Sequence, residues 1–499
     1  SLGIHKLLLF TYWIQKKGVH TMKRKWNLFF CLLFLTSCSS VNKETSENSL
    51  LQELQNKEKE TQEILKEQKL SLEEAIRLAK ERNLELKMKE LEKEIASIDK
   101  RTAFGNFLPK ISAFYTRSFW EEPLSAQIDL PSSLGKFPMI GPLLPKEIHG
   151  RLLDQNYSVY GMQASMPIFV PATWFLYSAR KKGEDIHSLV FDLTEKMITV
   201  KVIQQYYWIL ALKSEEKQLQ ASLQSAEQLL HNTKIALETQ SILDWQYQKA
   251  EVYYKQKKLA LEENRRDLKI ANMNLLLTLN LSPFSEIYLE DANLSTKKPL
   301  LNYEEVVYQS LLHSQALEIQ NKMIEVEKEK VKISLSRFLP IVGLQGFYGE
   351  HTFSLLTSPH YLFGILGGVF SVFNGFQDIS AYQKAKIEQQ KAIIKREQLM
   401  LQTIAETTNV YQKLQSSLEE QEIAQGNLKA ENGKFYQKEM EKKVGMIDEL
   451  SYLQALQSYE EARSLNAKAE YQSAVLQEIL DMLMEQGRFV KIREGEKNE

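Results

Sequence analysis

Cysteine is the rarest reactive residue type in this 499-residue chain, with Cys31 and Cys38 and none beyond them. Cys38 closes the stretch Leu35-Thr36-Ser37-Cys38, behind an apolar run headed by Lys23, Arg24 and Lys25. The run of about ten residues is too short to cross a bilayer, which needs roughly 20, but it suits a secretory signal starting at Met22. Small residues before a single thiol resemble a bacterial lipobox, in which the cysteine is acylated, as by palmitate, and becomes the mature N-terminus. Acyl chains would anchor it in a leaflet. Ser39 follows, with no Asp there to suggest inner-membrane retention, so the outer membrane is favoured. Other chemistry is missing. The eight histidines are scattered, and His351 and His360, flanking a short loop, read as surface residues. There is no HExxH, phosphate loop or serine nucleophile elbow. We therefore expect no enzyme, no catalytic or metal site and no cofactor. A net charge of -1 with balanced signs points away from nucleic acid.

The elements that would position any site repeat. "LSLEEAIRLA" from Leu70 aligns with "LNYEEVVYQS" from Leu301, and Phe107-Leu108-Pro109 returns as Phe338-Leu339-Pro340, about 230 residues on. Phe169 corresponds to Phe373, and Tyr247, Ala250 and Tyr254 to Tyr452, Ala455 and Tyr459. The first copy carries a Pro- and Gly-rich insert, Glu121 to Gly150, read as a long loop. The divisions are 1–21, an upstream extension; 22–38, the signal; 39–69, a polar tether becoming helical towards Ile64; 70–295 and 296–485, the repeats; and 486–499, a tail. Each repeat reads helix, strand pair, long helix, turn, helix. The spacing predicts one helix over 71–104 and another from about Ser178 to Thr239, where Leu219, Leu223, Ala226, Leu230 and Thr233 form a coiled-coil seam. Some 60 residues of helix run about 90 Å, which suits a rod or a tunnel better than a globular core. The two shorter helices of a unit, stacked end to end, would lie alongside.

Pro109 and Pro340 mark the change from helical to strand period. Strands are expected at about 108–119, 157–169, 339–350 and 361–373. Ile111, Ala113 and Tyr115 share one face with Ser112, Phe114 and Thr116 opposite; Tyr160, Met162, Ala164 and Met166 alternate with Gly161, Gln163 and Ser165. Strands of that length with one apolar and one small or polar face have the signature of a transmembrane barrel. Four strands leave edges that hydrocarbon does not tolerate, so closure demands copies. Two copies give a filled barrel and three a bore; a conduit favours three.

In its order of motifs the chain, from 70 to about 485, resembles the TolC-like outer-membrane efflux channels, in their lipidated branch. The residues carrying this are "LSLEEAIRLAKERNLELK", the two "FLP" junctions, "SMPIF" with "SVFNG", and "VGMIDELSYLQAL" from Val444. The resemblance implies a mainly α chain with a transmembrane β-barrel: a homotrimer with a twelve-stranded barrel above a long coiled-coil α-barrel in the periplasm of a Gram-negative-type bacterium. It implies a passive exit for small molecules such as drugs, docked on a periplasmic adaptor protein and an inner-membrane pump. It places tip turns at 239–246 and 444–451, with the family's glycine kept as Gly445 and replaced by Gln240. Ser451 and Gln454 stand where some members carry aspartates; Asp244, Asp448 and Glu449 are the nearby acidic candidates for the entrance. Helix–strand junctions are assigned to Pro109, Pro340, Pro167 and Gly375, with Val170-Pro171 where the family has two glycines. A duct for one-step (type I) protein secretion, and an envelope-spanning structural coiled-coil lipoprotein, are the alternatives.

Overall fold

The computed structural model describes residues 47–65, 69–129, 147–291, 302–352 and 360–489. Cys38 and the signal segment lie outside them. The chain divides into two units, residues 1–64 and 65–499. In the first, helix α1 spans Glu47–Leu65. The other elements belong to the second.

Each repeat opens with two helices where the periodicity predicts one. In the first copy these are α2 (Leu72–Arg82) and α3 (Leu84–Gly105), parted at Asn83. Asn83 leaves helical geometry and caps α3, its Oδ1 accepting from the Leu86 amide at 3.1 Å. Its Nδ2 donates across the fold to the Thr278 carbonyl at 2.8 Å. In the second copy α6 (Tyr303–Leu312) and α7 (Gln315–Leu335) are parted next to Ser314, which caps α7. Short polar side chains satisfy the orphan amides of a helix start. The break is invisible to hydrophobic spacing because both halves keep one apolar face. Ser71 and Asn302 cap the first helix of each pair in the same way.

The chain then turns into strands β1 (Lys110–Phe119), β2 (Leu124–Asp129), β3 (Glu147–Leu153) and β4 (Asn156–Phe169), and in the second copy β5 (Ile341–His351) and β6 (His360–Val369). Pro109 and Pro340 stand directly before β1 and β5, where a ring that blocks helix and needs no ladder amide is tolerated. The sheet order is β1-β4-β5-β6, all antiparallel, so β4 and β5 join the two repeats. The insert is not a plain loop. β2 and β3 pair in a second ladder, linked to the first by the Trp120 amide donating to Gln155 O at 2.8 Å. β6 ends at Val369, short of the expected 373, because Gly375 (φ +54°) and Phe376 (φ +64°) turn the chain left-handed into the next helix. Pro167 is not a junction. It lies within β4 opposite Gly343, at a register shift before Phe169, and bulges accept a residue with no ladder donor. The junction proper is Pro171, the first residue of α4, where its fixed φ suits a helix start.

Helix α4 (Pro171–Glu238) has 68 residues and α8 (Gln377–Lys443) has 67. Each returns through a turn into a shorter helix, α5 (Asp244–Thr278) and α9 (Glu449–Met484). At 1.5 Å per residue each long helix runs about 100 Å. α4 starts seven residues before the predicted Ser178. Near the sheet the lateral order is α3, α4, α7, α8; towards the turns it is α5, α4, α9, α8. The shorter helices thus stack end to end along the long ones, meeting where Asn83 holds Thr278. The wall is one helix thick, so its core is narrow: Ile203, Tyr206, Ile209, Leu275 and Leu276 at one seam, and Val306, Leu414 and Leu480 at another.

A belt crosses the wall at the breaks. The Leu70 amide donates to Tyr288 O at 2.7 Å, the Glu290 amide to Leu70 O at 3.0 Å, and the Tyr206 hydroxyl lies 2.8 Å from Glu290 O. Burial raises the Tyr206 phenol and pushes Tyr207, stacked on Tyr471, up to about 12. Arg488 follows α9 in a short 3-10 turn (Gly487–Phe489) and joins Glu73 of α2 at 3.0 Å to Glu478 of α9 at 2.9 Å. Between α4 and α7, buried Glu329 accepts from Lys182 at 2.9 Å and from Lys332 at 3.2 Å.

Two outcomes are expected. Asn83→Ala leaves the Leu86 amide and the Thr278 carbonyl without their partner, costing about 2 kcal/mol. It lowers the apparent melting temperature in detergent, while Asn83→Ser, still a cap, loses less. For Glu329, burial pushes the carboxyl up but the two ammonium bonds outweigh it, leaving it below the usual carboxylate range. A lowered carboxylate contributes stability above its unfolded value, roughly 4.3, which is lost as pH falls through the folded value. Melting at pH 7 and again near pH 3 should show a smaller acid loss for Glu329→Gln than for the parent.

Candidate functional site

The features that could function are the free edges, the two sheet faces and the turns farthest from the sheet. β1 pairs only with β4, and β6 only with β5, among the described residues. Among the described residues the outer ladder groups of both strands pair with no other strand. The same edges continue in helix. On α3, Leu84, Met88, Leu91, Ile95 and Ile98 alternate by four and three and are all exposed, Leu91 at 58%. On α5, Trp245, Val252 and Leu259 recur every seven and are exposed. On the opposite edge, exposed Ile387, Ile394 and Leu401 of α8 recur every seven, Ile394 at 65%. Such seams fit a facing helix. The edge helices are those joined to the edge strands: α3 runs into β1, and β6 leads to α8.

Register puts Ile111 beside Ala164, Tyr115 beside Tyr160, Met166 beside Leu344 and Tyr348 beside Leu362 on one apolar face. Ser112, Gln163, Ser165 and Gln345 lie on the other, together with Gly161, Gly343 and Gly349. The apolar face ends in Tyr160, Glu350 and His360, with Tyr160 donating to Glu350 at 2.5 Å and His360 3.4 Å from it. His351 is not a surface residue. It is 6% exposed, on the opposite face from His360, because the alternation turns it inward.

At the turns, both copies need a left-handed residue. Gly445 has φ +75° and Gln240 has φ +57°, so the first copy meets with a glutamine what the second meets with glycine. Asp448 caps α9, its Oδ1 accepting from the Ser451 amide at 2.9 Å. Hydrogen bonds from the Ser451 side chain and amide hold its carboxyl below the usual aspartate range. Glu449 pairs with Lys442 at 2.7 Å, and Asp244 accepts from Gln248. Gln454 is exposed on α9. The acidic candidates are thus near the turns but engaged with neighbours of their own hairpins. A clasp absent from the sequence reading accompanies them. Lys442 Nζ sits 3.7 Å from the Tyr452 ring centre, and Phe435 stacks on Tyr459 at 5.2 Å. The seven-residue spacing of Lys442 and Glu449 across the turn was the available signal.

No described helix is long and apolar enough to cross a membrane. Residues 306–484 match the model of the outer membrane efflux protein family. The match covers about a third of the chain, in the second repeat. The fold extends the likeness to the other repeat. The Campylobacter jejuni CmeC outer membrane channel superposes with a TM-score of 0.64 at 14% identity, covering 83% of this chain and 85% of that one. VceC, an outer membrane protein of Vibrio cholerae, gives 0.62 at 13%, covering 83% and 96%. The Neisseria gonorrhoeae MtrE outer membrane channel in its open state gives 0.60 at 15%, covering 83% and 89%. No curated protein sequence matches the chain. Identities this low show the shared fold, and the likeness to outer membrane efflux proteins at the level of sequence rests on residues 306–484.

The two turns generate a prediction. A left-handed non-glycine residue costs about 1 kcal/mol over glycine. Gln240→Gly should slow hydrogen exchange of the amides around 235–248, and Gly445→Ala should speed it at the matching turn. Unchanged exchange in both would show that neither turn is strained.

Proposed function

We propose that three copies of this chain assemble into a passive exit duct of the outer membrane, the last part of a tripartite efflux system conducting small molecules such as drugs from the periplasm. The observation that carries this is the coincidence of edges. One side of the protomer offers β1, α3 and α5, the other β6 and α8, each with unfinished pairing. A head-to-tail contact that uses both sides repeats until the ring closes. Three protomers give twelve strands, enough for an open bore, with the α3 and α8 seams meeting between neighbours. The apolar face of the sheet then meets lipid and the Ser/Gln face lines the bore.

Cys38 would be acylated and hold the N-terminus to the membrane. The turns at 239–243 and 444–448 would form the periplasmic entrance, where an adaptor protein and an inner-membrane pump dock. Asp244, Asp448, Glu449, Ser451 and Gln454 are the candidate groups there. The energy for transport comes from the pump; the chain contributes an opening of its tips, biased by adaptor contact.

The test is purification in detergent, mass measurement and single-channel recording. A trimer that conducts is expected; a non-conducting monomer would leave an envelope-spanning rod. Leu91→Glu with Ile394→Glu places charges in the seam and should turn trimer into monomer, since each buried large apolar side chain contributes about 1.5–3 kcal/mol. Asp448→Asn or Glu449→Gln should raise a weak resting conductance; unchanged currents would remove both from the gate.

A further inference from the structure

The bore face carries rings where a water-filled barrel ordinarily carries polar side chains. Two neighbouring cross-strand rows hold them. One runs Ser112, Gln163, Phe347, Phe363; the next runs Phe114, Gly161, Gly349, Tyr361. Phe347 and Phe363 face each other directly across β5 and β6, with ring centres 5.0 Å apart and planes 22° from parallel. Tyr361 lies 5.9 Å from Phe363. A Cβ placed on Gly349 would collide with the Tyr361 ring. Glycine there makes room for the tyrosine ring over the backbone. Phe363 remains 47% exposed. Phe347 and Tyr361 are half-buried and Phe347 covers one face of Phe363, which leaves the outer face of Phe363 the most open to a solute.

The charge pattern narrows the ligand. Across β1, β4, β5 and β6 this face has no carboxylate, and Lys110 is its cation, at the end of β1 nearest the helices. A cationic guest gains only the ring quadrupoles, with no carboxylate on the strands behind them, whereas a neutral ring system, or one whose anionic group reaches Lys110, can stack offset on Phe347 and Phe363.

We propose that Phe114, Phe347, Tyr361 and Phe363 form an aromatic belt around the bore, a stacking station for flat aromatic solutes that are neutral or anionic. This rests on the reading of the sheet as part of a closed barrel, and adds a substrate preference to it. Stacking of moderate strength slows a guest without trapping it, which passage through a conduit requires.

The experiment is single-channel recording of the full trimer in a planar bilayer, with naphthalene-2-sulfonate as probe and octane-1-sulfonate as an aliphatic anion control. The aromatic probe should interrupt the current, and the aliphatic one should not. Phe347→Leu with Phe363→Leu keeps apolar bulk but removes the ring faces; it should shorten the interruptions about tenfold at unchanged frequency. Gln163→Phe adds a ring beside Phe347 in the same row and should lengthen them, which serves as the test if the double variant fails to assemble. Equal dwell times in parent and variants, or equal interruption by both probes, overturn the belt and leave the duct standing. A trimer that passes no current overturns the duct, and the belt with it.

Discussion

An unfinished edge is the constraint on which the rest of the structure depends. A strand in hydrocarbon cannot leave its outer N–H and C=O groups unpaired, because no water is there to take them. β1 and β6 each have one such side. The helices repeat the problem in another currency: the α3 and α8 seams expose leucine and isoleucine at heptad spacing. Since α3 runs into β1 and β6 leads to α8, backbone hydrogen bonding in the sheet and side-chain packing in the helices call for the same neighbour.

Length without a thick core raises a second demand. A wall one helix deep buries little apolar surface per residue, so its rigidity depends on joins across the seams. Those joins cluster where the paired short helices break. Asn83 reaches Thr278, Tyr206 reaches the backbone at Leu70 and Glu290, and Arg488 bridges α2 and α9. Buried polar groups in such places are satisfied in pairs, and losing one leaves the other desolvated. Below the belt the hairpins pack through a seam of small residues such as Ala226, Ala250, Ala455 and Ala462, with the Lys442, Glu449 and Tyr452 clasp beside the second turn.

Much of this was legible in the residues. The change of period at Pro109 and Pro340 located both helix-to-strand junctions, because a proline ring cannot continue a helix wherever it sits. Alternation in Ile111–Thr116 and Tyr160–Met166 assigned the two sheet faces, since side-chain direction in a strand follows from parity alone. The repeat, seen in Phe107-Leu108-Pro109 and Phe338-Leu339-Pro340, determined the order of elements in the second half from that in the first. Other readings failed where a local pattern had two meanings. Asn83 looked like one residue of a continuous amphipathic helix, Pro167 like a junction, and the Glu121–Gly150 insert like a loop.

What the sequence by itself determined is therefore the kind of element at each position and the face each side chain takes, because these depend on steric rules acting over a few residues. What only the tertiary structure decided is which elements become neighbours. The pairing of β4 with β5, the reach of Asn83 to Thr278 and the bridge from Arg488 to Glu73 join residues far apart in the chain. No local rule selects such partners. They are set by how two long helices and four strands can share one wall while leaving the fewest polar groups unpaired.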